Sequence, residues 1–473
     1  MAKEKTLTSK EKFMVGIIVF GGFVTILNQT VMSPALPAIM EDLNITAATG
    51  QWLTSVFLLV NGLMIPITAY LIGRFSTRQL FFAAMTAFTV GSTLAAFSTG
   101  FPMLVAGRVI QAIGAGIQLP FVSVMLMLIF PKSKRGFALG ISGIVIGAAP
   151  AIGPTLAGLL VDQLGWRYIF ACIAPFAAAT LIFAIIFLKN FDTKQESHLD
   201  WLSVIFSTVG FGGLLFGFSC AGSAGWLSPK TYATIIIGAV FIVLFIRRQF
   251  RLDIPLLDLR VLKNKVFAVS TVLTMVISSS LTVAAVLTPI FLQNVLGNSA
   301  MHSGLILMPG AILMAALSPV SGTLFDKFGP RTLAIVGITV IMIGTFMLSI
   351  IDHYTTSKFI LIAYTFRMAG ISLVNMPLNT WGINALERDK IAHGNAVNNS
   401  ARQVAGSIGT AVFITVMMVA QSTSMNIGVA AVSDGIDAAF RGATLMTAIA
   451  LVITVVKVGS VGSIGKPQLP FEK

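Results

Sequence analysis

The chain has 473 residues, 56% of them hydrophobic and 10% charged, with a mean hydropathy of +0.91. A soluble domain carries roughly a quarter charged residues, so a soluble fold is excluded, and the apolar runs are far too long for barrel strands. The formal net charge of +14 suggests a nucleic-acid partner, but the bases cluster in short segments between apolar runs, which argues for none.

Fourteen membrane spans are expected, at 13–37, 51–72, 79–99, 102–130, 137–161, 168–188, 201–221, 231–247, 266–292, 303–325, 332–351, 359–385, 395–421 and 442–460. The basic stretch before the first leads into a run of full span length, so no cleavable signal peptide is expected. An even number puts both termini on one side. With that side inside, 23 of the 31 Lys and Arg fall on inner segments, 4 on outer loops and 4 within spans. The positive-inside rule therefore places both termini in the cytoplasm. Cys172 and Cys220 lie in apolar stretches and suggest neither a disulfide framework nor a metal site.

Span one carries LNQTVMSPALPAI, with Asn28 and Gln29 at its start. The loop after span two reads GRFSTR, from Gly73 and Arg74 to Arg78. Span four holds GRVIQAIGAGIQLP, which sets Arg108, Gln111 and Gln118 on one helical face. Span five has Gly140, Gly143, Gly147, Ala151, Pro154 and Gly158 at steps of three and four. Such a smooth face lets another backbone approach closely in lipid, as a pivot between helix bundles or as an ordinary packing stripe. Pro150 and Pro154 each remove an amide donor and tend to bend this helix.

The segment 247–265, RRQFRLDIPLLDLRVLKNK, mixes bases with Ile, Leu and Val and reads as a segment lying on the cytoplasmic membrane surface. After it the pattern repeats. The loop after span ten, GTLFDKFGPR, holds Gly322, Asp326, Gly329 and Arg331, and span twelve, FRMAGISLVNMP, repeats the Arg, Gly, amide and Pro of span four, with Asn375 in the place of Gln118. The economical division is a six-helix bundle over 1–190, two inserted helices and an interfacial linker over 191–265, and a second six-helix bundle over 266–473. Asn28, Gln29, Asn61, Gln111, Gln118, Asn375 and Asn379 are the amides expected to face a cavity between the bundles.

Four of these patterns carry a family resemblance: the span-one sequence, the loop pair, LVAGRVIQAIGAG around Arg108, and GAAPAIGPTLAG with Gly147, Pro150, Gly153, Pro154 and Gly158. Over nearly its whole length the chain resembles the fourteen-helix drug:proton antiporters of the major facilitator superfamily. The resemblance implies an all-α membrane protein of the major facilitator fold, in a bacterial plasma membrane. It implies multidrug efflux of amphipathic or cationic small molecules by alternating access, driven by a proton gradient with no cofactor, by a monomer surrounded by lipid. It also implies that Arg108 lines the central cavity and aids coupling, and that Asp326 latches neighbouring helices with Arg331 as its partner.

Two departures stand out. Asn28 occupies the place of a common family aspartate, and Gly73 the place of the loop acid. The span map puts 11 carboxylates on inner segments and 6 outside, leaving none deep in a span to change protonation. Either Asp162 or Asp200 lies deeper than the map draws it, or coupling runs differently, or Asn28 replaces a native aspartate. The same fold could carry a lipid or cell-envelope precursor. An enzyme would need paired acids, a nucleophile–base set or metal ligands at membrane depth, and the sequence offers no such cluster.

Overall fold

The computed structural model describes residues 8–45, 47–131, 134–190, 200–253 and 255–458, and among these the chain is helical with no strand. The helices are α1 Ser9–Thr30, α2 Met32–Asp42, α3 Ala47–Arg74, α4 Thr77–Ala96, α5 Phe101–Ile129, α6 Arg135–Leu164, α7 Arg167–Phe187, α8 Trp201–Ala224, α9 Pro229–Arg251, α10 Lys265–Ile290, α11 Ala300–Met347, α12 Ser357–Asn384, α13 Ile391–Thr423 and α14 Val429–Lys457. Local chemistry sets many of the starts. Thr8 with Glu11 and Ser76 with Gln79 form capping boxes, while Asp200, Asn264 and Ser299 cap α8, α10 and α11 through their side chains.

Among the described residues, 12 stretches are long and apolar enough to cross a membrane. One of them, Met301–Met347, has 47 residues, about 70 Å of helix and twice the thickness of a hydrocarbon core. It breaks at Gly329, whose φ of 77° is left-handed, a conformation that glycine adopts without penalty. Two expected boundaries move. The first span ends at Thr30, and α2 begins anew at Met32, because Pro34 has no amide hydrogen to offer the preceding turn. The last helix begins at Val429, after Gly428 with φ 65°. This draws Asp434 and Asp437, which the sequence map left outside, into α14.

The buried apolar residues separate into two large clusters. One runs from Met14 to Leu188 and the other from Leu273 to Val458. Within each, glycines bring two helices together. Gly91 and Gly107 join α4 to α5, and Gly337 and Gly370 join α11 to α12; a Cβ on Gly107 would come 3.0 Å from the Gly91 carbonyl, and one on Gly370 2.8 Å from that of Gly337. Close backbone approach of this kind supplies the van der Waals contact that holds helices together in lipid, where the hydrophobic effect between them is weak.

The smooth face of α6 meets the other cluster. A Cβ on Gly136 would sit 2.6 Å from the Gly322 carbonyl, and one on Gly140 2.6 Å from that of Ser318. The basic end of the molecule, which carries the segment 247–265, is closed around this seam. The Asp326 carboxylate accepts from the amides of Gly136 and Phe137, 3.2 Å each, at the positive end of the α6 dipole. Arg135 donates to Met127 O and to Asn384 Oδ1, 3.2 Å each. A third apolar cluster bridges the halves, with Met127 and Leu139 from one, Met376 and Val397 from the other, and Leu256, Leu257 and Val261 between them.

The segment 247–265 is therefore a surface layer only in part, with Arg251, Asp253, Leu262 and Lys263 exposed. Leu256, Leu257 and Val261 are buried, and Asp258 N donates to His393 Nδ1 on α13 at 3.2 Å. The expected latch is also rearranged. Asp326 caps α6 across the seam instead of the helix that follows it, and Arg331 is exposed.

Candidate functional site

Between the two halves, α1, α3, α8, α10 and α13 enclose a chamber of about 540 Å³, within the size range of small-molecule sites. Gln29 contributes from α1, and Trp52, Ser55, Leu58 and Leu59 from α3. Leu215, Phe216 and Phe218 come from α8, Ser278, Thr282 and Val286 from α10, and α13 supplies a long wall from Arg402 to Ile414. The Trp52 and Phe216 rings stack with centroids 5.5 Å apart. The inserted helix α8 is thus a wall of the chamber, wedged against α3 and α13, a role its sequence did not signal.

The polar lining is mostly hydroxyls that bond back to their own helices. Thr282 donates to Ser278 O, Ser407 to Gln403 O and Thr410 to Gly406 O, at 2.8, 3.1 and 2.9 Å. The lining includes no Asp or Glu, and its one ionisable side chain among the described residues is Arg402. Arg402 lies eleven residues into α13, about 16 Å along the helix and near the middle of a hydrocarbon core.

Of the amides expected at a cavity, Gln29 lines the chamber; the others are placed elsewhere. Asn28 is fully buried and neither of its side-chain polar atoms has a partner. Asn61 is buried. Gln118 donates to Ile18 O at 3.3 Å, while Asn375 stands beside Ser318 and Ser372. These two amides do not face each other across a cavity. Asn379 accepts from Asn398 at 2.7 Å, and Asn398 accepts from Thr274 at 2.9 Å.

Arg108 does not line the chamber. It is fully buried inside the first half, where Nε donates to Leu53 O at 3.2 Å and Nη1 to Gln111 Oε1 at 3.0 Å. Gln111 passes the chain of bonds to Ser92 on α4, 2.9 Å away, and the guanidinium lies over the Phe57 ring, 4.2 Å from its centroid. Its repeat counterpart, Arg367, is equally buried and donates to Ser280 on α10 and Thr345 on α11. The resemblance implied Arg108 at the cavity, whereas the arginine that lines the chamber is Arg402. The usable signal for Arg402 was its place in a hydroxyl- and glycine-rich span.

Among the other expected residues, Asp200 caps α8 and forms a two-bond ion pair with Arg248, 2.5 and 2.7 Å. The guanidinium holds its carboxyl down at about 2, so Asp200 stays ionised and lies away from the chamber. The side chain of Asp162 is outside the described residues, as are those of Pro150 and Pro154 and the surroundings of Gly147. Gly153 packs on Thr30, which donates to Ala149 O at 3.2 Å and ties α1 to α6, while Gly158 has open space beside it. Gly73 is half-buried and Arg74 exposed. Arg78 closes the end of α7 by donating from Nη2 to Ile185 O at 2.5 Å.

Comparison with known proteins agrees with this architecture. Residues 18–410 match the family model described as Major Facilitator Superfamily. The chain is 44% identical over 462 residues, 97% of its own length and 96% of the other's, to the uncharacterized MFS-type transporter YcnB of Bacillus subtilis (strain 168). It is 38% identical over 450 residues, 93% and 96% of the two chains, to the lincomycin resistance protein LmrB of Listeria monocytogenes. Its fold matches the proton:xylose symporter XylE with a TM-score of 0.63, 16% identity and coverage of 95% and 96%, a likeness of fold alone. The chain belongs to the Major Facilitator Superfamily and is a multi-pass transporter of the bacterial cell membrane, moving small molecules rather than catalysing their conversion.

Proposed function

We propose that the protein exports amphipathic small molecules from the cytoplasm by alternating access, as a fourteen-helix drug:proton antiporter. Counting the broken helix α11 as two crossings and adding α6 brings the spans to fourteen, with both termini and the basic end in the cytoplasm. The observation that carries this reading is the chamber itself. It lies between two separate cores, is lined from both, and is closed at the basic end by Asp326, Arg135 and the bridging apolar cluster. Closure at the basic end is what a site presented to the far side requires, and the drug-resistance name of the LmrB relative supports a drug-like cargo.

Proton coupling is part of the proposal, and its carrier is not among the chamber residues. The boundary of α14 supplies a candidate. Asp437 lies eight residues into that helix, paired with Arg441 at 2.6 Å, and its Oδ1 is buried without a partner. The lipid or envelope-precursor reading rests on a second feature, an apolar groove of about 500 Å³ between α1 and α7 with Phe13, Phe20 and Phe183 along it and Lys12 beside it.

Efflux of a compound panel from cells lacking other pumps tests the main reading, followed by proteoliposome transport with and without a pH gradient. Gradient-dependent export of several unrelated amphipaths is expected. Movement of one lipid with no drug export would favour the rival.

A further inference from the structure

We infer that Arg402 is an anion-recognition residue of the chamber, so that the preferred cargo is an apolar body carrying one anionic group, a carboxylate, sulfonate or phosphate. The inference rests on the transporter reading above and narrows its substrate class.

Three observations converge. Arg402 makes no ion pair and its side chain no hydrogen bond among the described residues, and its Nε is buried without a partner. Arg108 and Arg367 differ in that their guanidinium groups do bond to carbonyl and hydroxyl oxygens of their own halves, although Arg367 Nη1 is likewise buried without a partner. Next, no described residue of the chamber lining can neutralise it. The lining has no carboxylate, and the nearby Ser278 hydroxyl donates to the Arg402 carbonyl at 3.2 Å. An isolated guanidinium in a membrane-embedded hollow is costly unless paired or hydrated, and a planar fork of N–H donors is suited to bidentate anion binding. Finally, the chamber lining contributed by α3 and α8 is largely apolar and aromatic, with Trp52 stacked on Phe216 and with Leu59 and Leu215. One end of a ligand would meet charge and the other rings. The same field disfavours a cation, which the sequence had admitted as cargo.

The test uses the full chain in phosphatidylcholine nanodiscs and three size-matched probes: 2-naphthoate, its methyl ester and 2-naphthyltrimethylammonium. Calorimetric titration should give naphthoate an affinity about tenfold or more above the ester, with the cation weakest. R402Q should bring naphthoate down to the ester's affinity while ester binding, which reports an intact chamber, changes little. R402K should recover part of the preference. If phosphatidylglycerol in the disc competes with naphthoate, the natural anion is a lipid headgroup; without competition it is a soluble amphipath.

Wild-type protein that binds the ester or the cation as tightly as naphthoate overturns the inference, as does R402Q with its anion preference intact. Either result alongside normal drug efflux would leave the transporter reading standing. Absence of both binding and efflux would remove the two together.

Discussion

Arg108 and Arg367 occupy equivalent places in the two halves, and each spends its donors on its own half. Carbonyl and hydroxyl oxygens take most of these donors in place of a carboxylate, while Arg367 Nη1 has no partner among the described residues. For Arg108 the acceptors are Leu53 O and the Gln111 amide, with the Phe57 ring adding a cation–π contact. These contacts bolt α3, α4 and α5 together. Arg108→Ala is expected to destabilise the protein by about 2–4 kcal/mol, since it leaves Gln111 Oε1 and the Leu53 carbonyl without this donor. Thermal unfolding in detergent measures this, and an unchanged melting temperature would contradict the bolt. Asn28 presents the opposite case, a buried amide with nothing to bond. Asn28→Leu should be neutral or stabilising by about 1–2 kcal/mol in the same assay. Asn28→Asp should increase the dependence of efflux on the pH gradient, because it restores a titratable group to span one. For Asp437→Asn the expected outcome is loss of gradient response with retained ligand binding; unaltered gradient-driven uptake in proteoliposomes would exclude it as proton carrier.

At the scale of elements, the contact between Asp326 and the start of α6 joins the two halves through one charge and one helix dipole. Such contacts are worth about 0.3–1 kcal/mol when exposed, enough to shift a two-state balance by up to about fivefold. Asp326→Asn should therefore raise the share of molecules open at the basic end by about that factor, read as faster labelling of a cysteine placed at Met376. Labelling unchanged from the parent would mean the seal rests on the apolar cluster alone. Asp200 acts only within the inserted pair. Its carboxyl is held below its ordinary value, so the stability it adds is present above about pH 4 and fades as the pH falls toward about 2. Asp200→Asn should cost about 1 kcal/mol at neutral pH without altering efflux.

Over the whole molecule, much of the architecture was legible in the sequence. Span-length apolar runs, the Arg-containing repeat of α5 and α12 and the glycine stripe of α6 are local patterns, and each led to the right kind of element. The site was harder to read, for a physical reason. A membrane helix buries polar groups on several faces, and spacing along the chain does not say whether a face meets another helix or a cavity. Arg108 and Arg402 are both arginines in small-residue spans, yet one is enclosed by its own half and the other faces the hollow. The part played by α8 as a chamber wall depends on its docking against α3 and α13, which no single-chain pattern encodes. The burial of Leu256, Leu257 and Val261 was missed similarly, since a basic, apolar segment reads alike whether it lies on lipid or plugs a seam.

In the proposed transport cycle, two helical halves expose one chamber to alternate sides of the membrane. Distances between spin labels at Glu41 and Asn298, on the far end of the two halves, and at Arg74 and Lys327, on the basic end, test it most directly. Pulsed electron resonance on the full chain, without and with a transported compound, should show the far pair shortening as the basic pair lengthens. Two distances that stay fixed, or that grow and shrink together, would contradict the account.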